Sequence, residues 1–145
     1  MEVRDEWRSF ADLADMLEQQ SSRDALSSDF ALNQLHALIR APFGILEAYC
    51  KNYDKAHTAR CLWKEMQGAP WFHFARIIRN AISHNFRFYY VQKDKPLLPI
   101  VWNGITLSLE MEGQSVVYEL WHKKGYELFF EMKAFAEALP EATQA

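Results

Sequence analysis

PWFHFARIIRNAISHNFRFYY, residues 70–90, is the stretch whose reading decides the fold. At about 100° per residue, Trp71, Phe74, Ala75, Ile77, Ile78, Ala81, Ile82, Phe86 and Phe88 gather on one side of a helix, and that side must be buried. His73, Arg76, Arg79, Asn80, Ser83, His84 and Arg87 gather on the other side, and Asn85 alone breaks the partition by falling in the apolar arc. Arg76, Asn80, Ser83 and Arg87 run down the middle of the polar face. Arg79 and His84 flank them, about 140° apart around the axis. One helix cannot easily bring both side chains to one phosphate, whereas two such helices packed across a symmetry axis can. The spacing therefore predicts a homodimer through this helix.

Charge is distributed unevenly around this stretch. No Asp or Glu occurs from Met66 to Lys93, where Arg76, Arg79, Arg87 and Lys93 stand; this window contributes +4 to a formal total of −3, which leaves −7 for the remainder. The net negative charge excludes a bulk electrostatic binder of nucleic acid. A basic island in an acidic chain instead steers an anionic ligand to one place and keeps the rest of the surface off it. An ordinary solvated helix face usually mixes Glu with Lys, and this one has no carboxylate.

Moving outward, the pattern is helical on the N-terminal side. Residues 5–20 place Trp7, Phe10, Leu13, Ala14 and Leu17 at helical spacing, and the Ser/Asp cluster of residues 21–29 reads as a linker ending in an N-cap at Ser28 or Asp29. A helix follows over residues 30–40, with Pro42 predicting a kink or short break at Ala41. The pattern resumes over residues 43–55, and a shorter helix over residues 58–66 ends at Gly68 before Pro70 opens the central helix. On the C-terminal side Asn103-Gly104 between β-rich segments marks a hairpin. A second turn at Glu112-Gly113 leads into a long closing helix in which Val117, Trp121, Leu128, Met132, Phe135 and Leu139 recur, interrupted at Gly125. The fold class is all-α: a helical bundle with one small β-hairpin before the C-terminal helix.

The chain has 145 residues, half of them hydrophobic, with ten Phe, six Tyr and five Trp, which suits one packed domain over residues 1–145 and excludes a disordered or fibrous protein. No apolar segment opens the chain, and no run approaches the roughly 18 apolar residues that a membrane span needs, so a soluble, cytoplasmic protein with no membrane contact is expected. Cys50 and Cys61 match neither CxxC nor metal-ligand spacing and read as reduced core thiols. His36, His57 and His122 have no ligand partners at metal spacing, so no metal or other cofactor is expected. There is no Gly-rich phosphate loop, GxSxG elbow or acidic pair suited to two-metal chemistry.

RNAISH, residues 79–84, on a late helix of such a bundle resembles the HEPN superfamily, whose ribonuclease members carry an Rx4–6H motif; Asn80 stands where that family commonly has a polar residue. The hairpin before the last helix lies outside the minimal family pattern. The resemblance implies a HEPN-like antiparallel helical bundle. It also implies a homodimer in which paired Arg and His residues form one composite site for metal-independent cleavage of RNA. His84 would then be the general acid or base, Arg79 the phosphate clamp, and Asn80 the residue that orients the phosphate or the histidine. These types suit the chemistry, since imidazole moves a proton near neutral pH and guanidinium offsets charge building on phosphate oxygens. Arg76, Ser83 and Arg87 are added from the helical wheel alone, as contacts to backbone phosphates. His73 reads as a surface or interface residue. Of Phe86, Phe88, Tyr89 and Tyr90, burial against the last helix is expected rather than base stacking.

Two functions follow from this pattern. One is an endoribonuclease acting as a toxin or defence effector and restrained by a regulatory protein partner. The other is a noncatalytic HEPN-like module that uses the same basic face to hold a nucleotide, an RNA or a protein.

Overall fold

Helical backbone dominates the described residues, 20–120 and 123–141 of a computed structural model. The chain divides into two compact units, residues 1–33 and 34–145. Helix α1 (Gln20–Leu35) takes in the Ser/Asp-rich stretch expected to be a linker, so no N-cap falls at Ser28 or Asp29. The reason is local: neither Gly nor Pro interrupts it, and the modest per-residue cost of Ser and Asp does not break a helix. The helix expected over residues 5–20 lies outside the described residues except at Gln20.

One π turn (His36–Arg40) and then α2 (Ala41–Ala56) follow directly. The break expected at Pro42 does not occur. Arg40 and Ala41 both keep right-handed helical angles, and the Ala41 N–H donates to the His36 carbonyl, five residues back. Widening the helix by one turn absorbs the ring that would otherwise press on the preceding turn. Helix α3 (Leu62–Gln67) borrows its N-terminal cap from the end of α2. Asp54 Oδ1 accepts from the Leu62 amide at 2.7 Å and Oδ2 from the Trp63 amide at 3.0 Å. The Cys61 thiol donates to the same carboxylate at 3.2 Å. Cys50 is buried, as expected of a core thiol, and burial first, then the nearby Asp54 charge, push its pKa up to about 11; Cys61, by contrast, is exposed.

Helix α4 (Phe72–Ile82) is the centre of the second unit. Eight of its eleven side chains are buried, so it is wrapped on most sides rather than along one arc. Phe74 packs on Trp102 with ring centroids 4.7 Å apart, and Trp71 meets Phe135 edge-on at 5.7 Å. Phe43 from α2 presses edge-on against Trp71 at 6.5 Å. The hairpin forms as expected: β1 (Ile100–Trp102) runs antiparallel to β2 (Ile105–Leu107), with Ile100 opposite Leu107 and Trp102 opposite Ile105. Asn103 and Gly104 both have positive φ, 45° and 78°, as a two-residue hairpin turn demands. Trp102, Ile105 and Leu107 are buried, while Val101 faces outward.

Of the single closing helix expected after this, the described residues show α5 (Val117–Leu120) and α6 (Lys123–Glu137). Trp121 and His122 lie outside the described residues. Gly125 does not interrupt the helix. It is buried within α6, where a Cβ would come 3.3 Å from Leu35 Cδ2, so its role is close packing. No helix among the described residues is long and apolar enough to cross a membrane.

Candidate nucleic-acid interface

The motif straddles the end of α4 instead of lying within a helix that continues to Tyr90. Ile82 is its last helical residue and Ser83 its C-cap. The last bonds tighten, with the Ser83 amide reaching the Asn80 carbonyl at 3.0 Å and the His84 amide the Ala81 carbonyl at 2.9 Å. Asn85 and Phe86 then take φ of 55° and 57°, and the chain reverses. Asn tolerates this left-handed conformation well enough to end helices. Beyond the reversal, residues 86–88 pair with the segment before α5: Val116 N to Phe86 O, Phe88 N to Gln114 O and Gly113 N to Phe88 O, each at 2.9 Å.

Arg87 therefore leaves the helical face. It lies opposite Ser115 in an isolated antiparallel bridge, and its Nη1 donates to the Gly113 carbonyl at 2.8 Å. Its guanidinium is tied to the turn at Gly113 and away from the middle of the expected stripe. Phe88 and Tyr90 are buried, and the Tyr90 hydroxyl donates to the Ser108 carbonyl at 2.9 Å. Burial pushes the Tyr90 pKa up to about 12. Tyr89 is exposed and stacks on His84, with ring centroids 4.2 Å apart and planes at 28°.

Arg76, expected on RNA, is inside the protein. It is 9% exposed and its Nη2 donates to Asp94, which is fully buried and also accepts from the Val91 amide at 3.2 Å. The acid-free stretch of sequence ends one residue before this carboxylate, and the loop after Tyr90 folds it back onto α4. Arg76 is thus a structural residue. His73 is partly buried beside it, with its Nδ1 buried and unpartnered. Burial first, then the Arg76 charge, lower the His73 pKa from its ordinary 6.5, with Asp94 opposing in part.

Arg79 remains accessible, with 31% of its side chain exposed. Its guanidinium lies over the Phe43 ring, 5.0 Å from the centroid, and its Nη2 is 3.7 Å from Glu47 Oε2, so α2 shapes its setting from below and beside. Asn80 is half-buried at the last turn, and the Ser83 hydroxyl donates back to the Arg79 carbonyl at 3.3 Å. His84 is exposed. The structure thus gathers Arg79, Asn80, Ser83 and His84 around one helix end and removes Arg76 and Arg87 from the group. Arg79 leans on α2 whereas His84 leans on Tyr89, so the two are held by different neighbours. Glu47 and Phe43 could not be linked to Arg79 from the sequence, because the contact joins two helices.

Comparison of the chain with family models, with curated proteins and with solved structures gave no match.

Proposed function

We propose that this protein is a HEPN-type, metal-independent endoribonuclease that acts as a homodimer. The observation that carries the reading is the end of α4: the central helix buries most of its length but leaves Arg79, Asn80, Ser83 and His84 accessible at its last turn. Burying a helix while presenting a guanidinium and an imidazole at its tip supplies a phosphate holder and a proton carrier on a rigid support. In the proposed reaction the 2′-oxygen of the substrate attacks the adjacent phosphorus as His84 takes its proton. The P–O5′ bond then breaks as the second copy's His84 protonates the leaving oxygen. Arg79 offsets the added negative charge on the phosphate.

The sides of α4 are covered, so the second copy meets the motif at the helix end, where His84 and Tyr89 are exposed. A role as a toxin or defence effector under the control of a partner protein fits an enzyme that needs no cofactor. The deciding experiment is a cleavage assay on mixed cellular RNA with the wild type, Arg79→Ala and His84→Ala. Cleavage by the wild type alone supports the reading; RNA binding without cleavage in all three replaces it with a noncatalytic binding module.

A further inference from the structure

The carboxylate of Glu47 carries two cations. Lys51, one turn further along α2, donates to Oε1 at 2.5 Å, and Arg79 reaches from α4 to within 3.7 Å of Oε2. The first contact is a charge-assisted hydrogen bond. The second, at its longer distance, is attraction without a hydrogen bond. Arg79 Nε is buried with no partner, and at 3.7 Å the Nη2 contact leaves that donor without a hydrogen bond to Glu47. Lys51 is also held over the Trp63 ring, 4.5 Å from its centroid. Two cations and one anion leave the cluster one net positive charge. Side chains of Arg79, Glu47 and Lys51 are 31%, 22% and 46% exposed, so an anion can approach all three.

We propose that Arg79, Lys51 and Glu47 form a phosphodiester subsite in which Lys51 takes the phosphate next to the one held by Arg79, and Glu47 is the internal counter-ion that the RNA backbone displaces. The proposal rests on the RNA reading above and adds to it a second phosphate contact and a brake. Without RNA, Glu47 keeps the two cations close together and in place. When a phosphate arrives, it must outcompete a carboxylate already seated between them. An isolated anion gains little from that exchange, whereas a strand that offers two phosphates at once replaces both contacts of Glu47.

The test measures equilibrium binding of a single-stranded RNA with 2′-O-methyl riboses, which binds but cannot be cleaved, across a salt series. Lys51→Ala is expected to weaken binding roughly fivefold, about the worth of one exposed charge contact. It should also reduce the slope of log affinity against log salt by about 0.7, the value for one phosphate on a single strand. Lys51→Arg should restore both. Glu47→Gln should tighten binding severalfold, because the competing anion is gone while the shape is kept. Thermal melts confirm that each variant is folded. If Arg79→Ala weakens binding while Lys51→Ala leaves affinity and slope unchanged, or if Glu47→Gln weakens binding, the subsite is refuted and the RNA reading stands. If the wild type does not bind, or Arg79→Ala binds as well as wild type, the RNA reading fails and the subsite fails with it.

Discussion

Arg76 and Asp94, eighteen residues apart in the chain, form an ion pair inside the protein: Arg76 is 9% exposed and Asp94 not at all. The pair ties the loop after Tyr90 to the central helix, and it separates a structural arginine from the accessible Arg79 one turn away.

Breaking that pair from one side leaves a charge buried without its partner. Asp94→Ala is therefore expected to cost about 3–5 kcal/mol, and replacing both residues with apolar ones of similar volume, Arg76→Met with Asp94→Leu, to cost far less. Chemical denaturation of the three proteins checks the ranking. RNA affinity of the double variant, measured on folded protein, should match the wild type.

On the stability scale the two ends of α4 behave differently. Ile78 is fully buried, and Ile78→Ala should cost about 2–5 kcal/mol. His84 is exposed beyond the helix end, so His84→Ala should stay within about 0.5 kcal/mol. Thermal melts that reversed this order would contradict the placement of both residues.

Stability should fall in two steps as pH is lowered. The folded pKa of His73 lies below its ordinary 6.5, so the unfolded chain binds the proton first and stability declines as pH drops below about 6.5. For Asp54, partial burial alone would raise the pKa; the Trp63 amide, the Cys61 thiol and the Leu62 amide together outweigh it and hold the carboxyl below its ordinary 3.8. Its contribution is present above that value and lost below it, as pH falls through the lowered folded pKa. Melting temperature measured against pH should lose the upper step in His73→Gln and the lower one in Asp54→Asn.

Cleavage should proceed in EDTA and leave a 2′,3′-cyclic phosphate and a 5′-hydroxyl, because the proposed nucleophile is the substrate's own 2′-hydroxyl. DNA lacks that group and should survive. End-group mapping by mass spectrometry checks the products, and cutting that required added Mg²⁺ would overturn the mechanism.

If the proposed function holds, the protein should slow growth when expressed in a bacterial host, while Arg79→Ala and His84→Ala are tolerated at matched protein levels. Equal tolerance of all three would favour the binding module.

Local pattern determined much of this protein without help from tertiary structure. Asn103-Gly104 determined the hairpin because two consecutive positive φ angles are cheap there and costly almost anywhere else. The apolar spacing of Trp71, Phe74, Ile77, Ile78 and Ile82 determined that α4 would be a buried helix, and Gly68 closed the helix before it. The sequence also named Arg79, Asn80, Ser83 and His84, together with Arg76 and Arg87, on one polar face, since neighbours along a helix stay neighbours in space. Tertiary structure alone decided which charges are free. Asp94 and Glu47 reach α4 from other parts of the chain, so a face without carboxylates in sequence acquired two in space, one of which buries Arg76. It also decided where α4 stops, because residues 86–88 gain hydrogen bonds to residues 113–116 that a continuing helix would forgo. Backbone and charge pairing between distant segments depends on how loops return, and no periodicity along one segment encodes that.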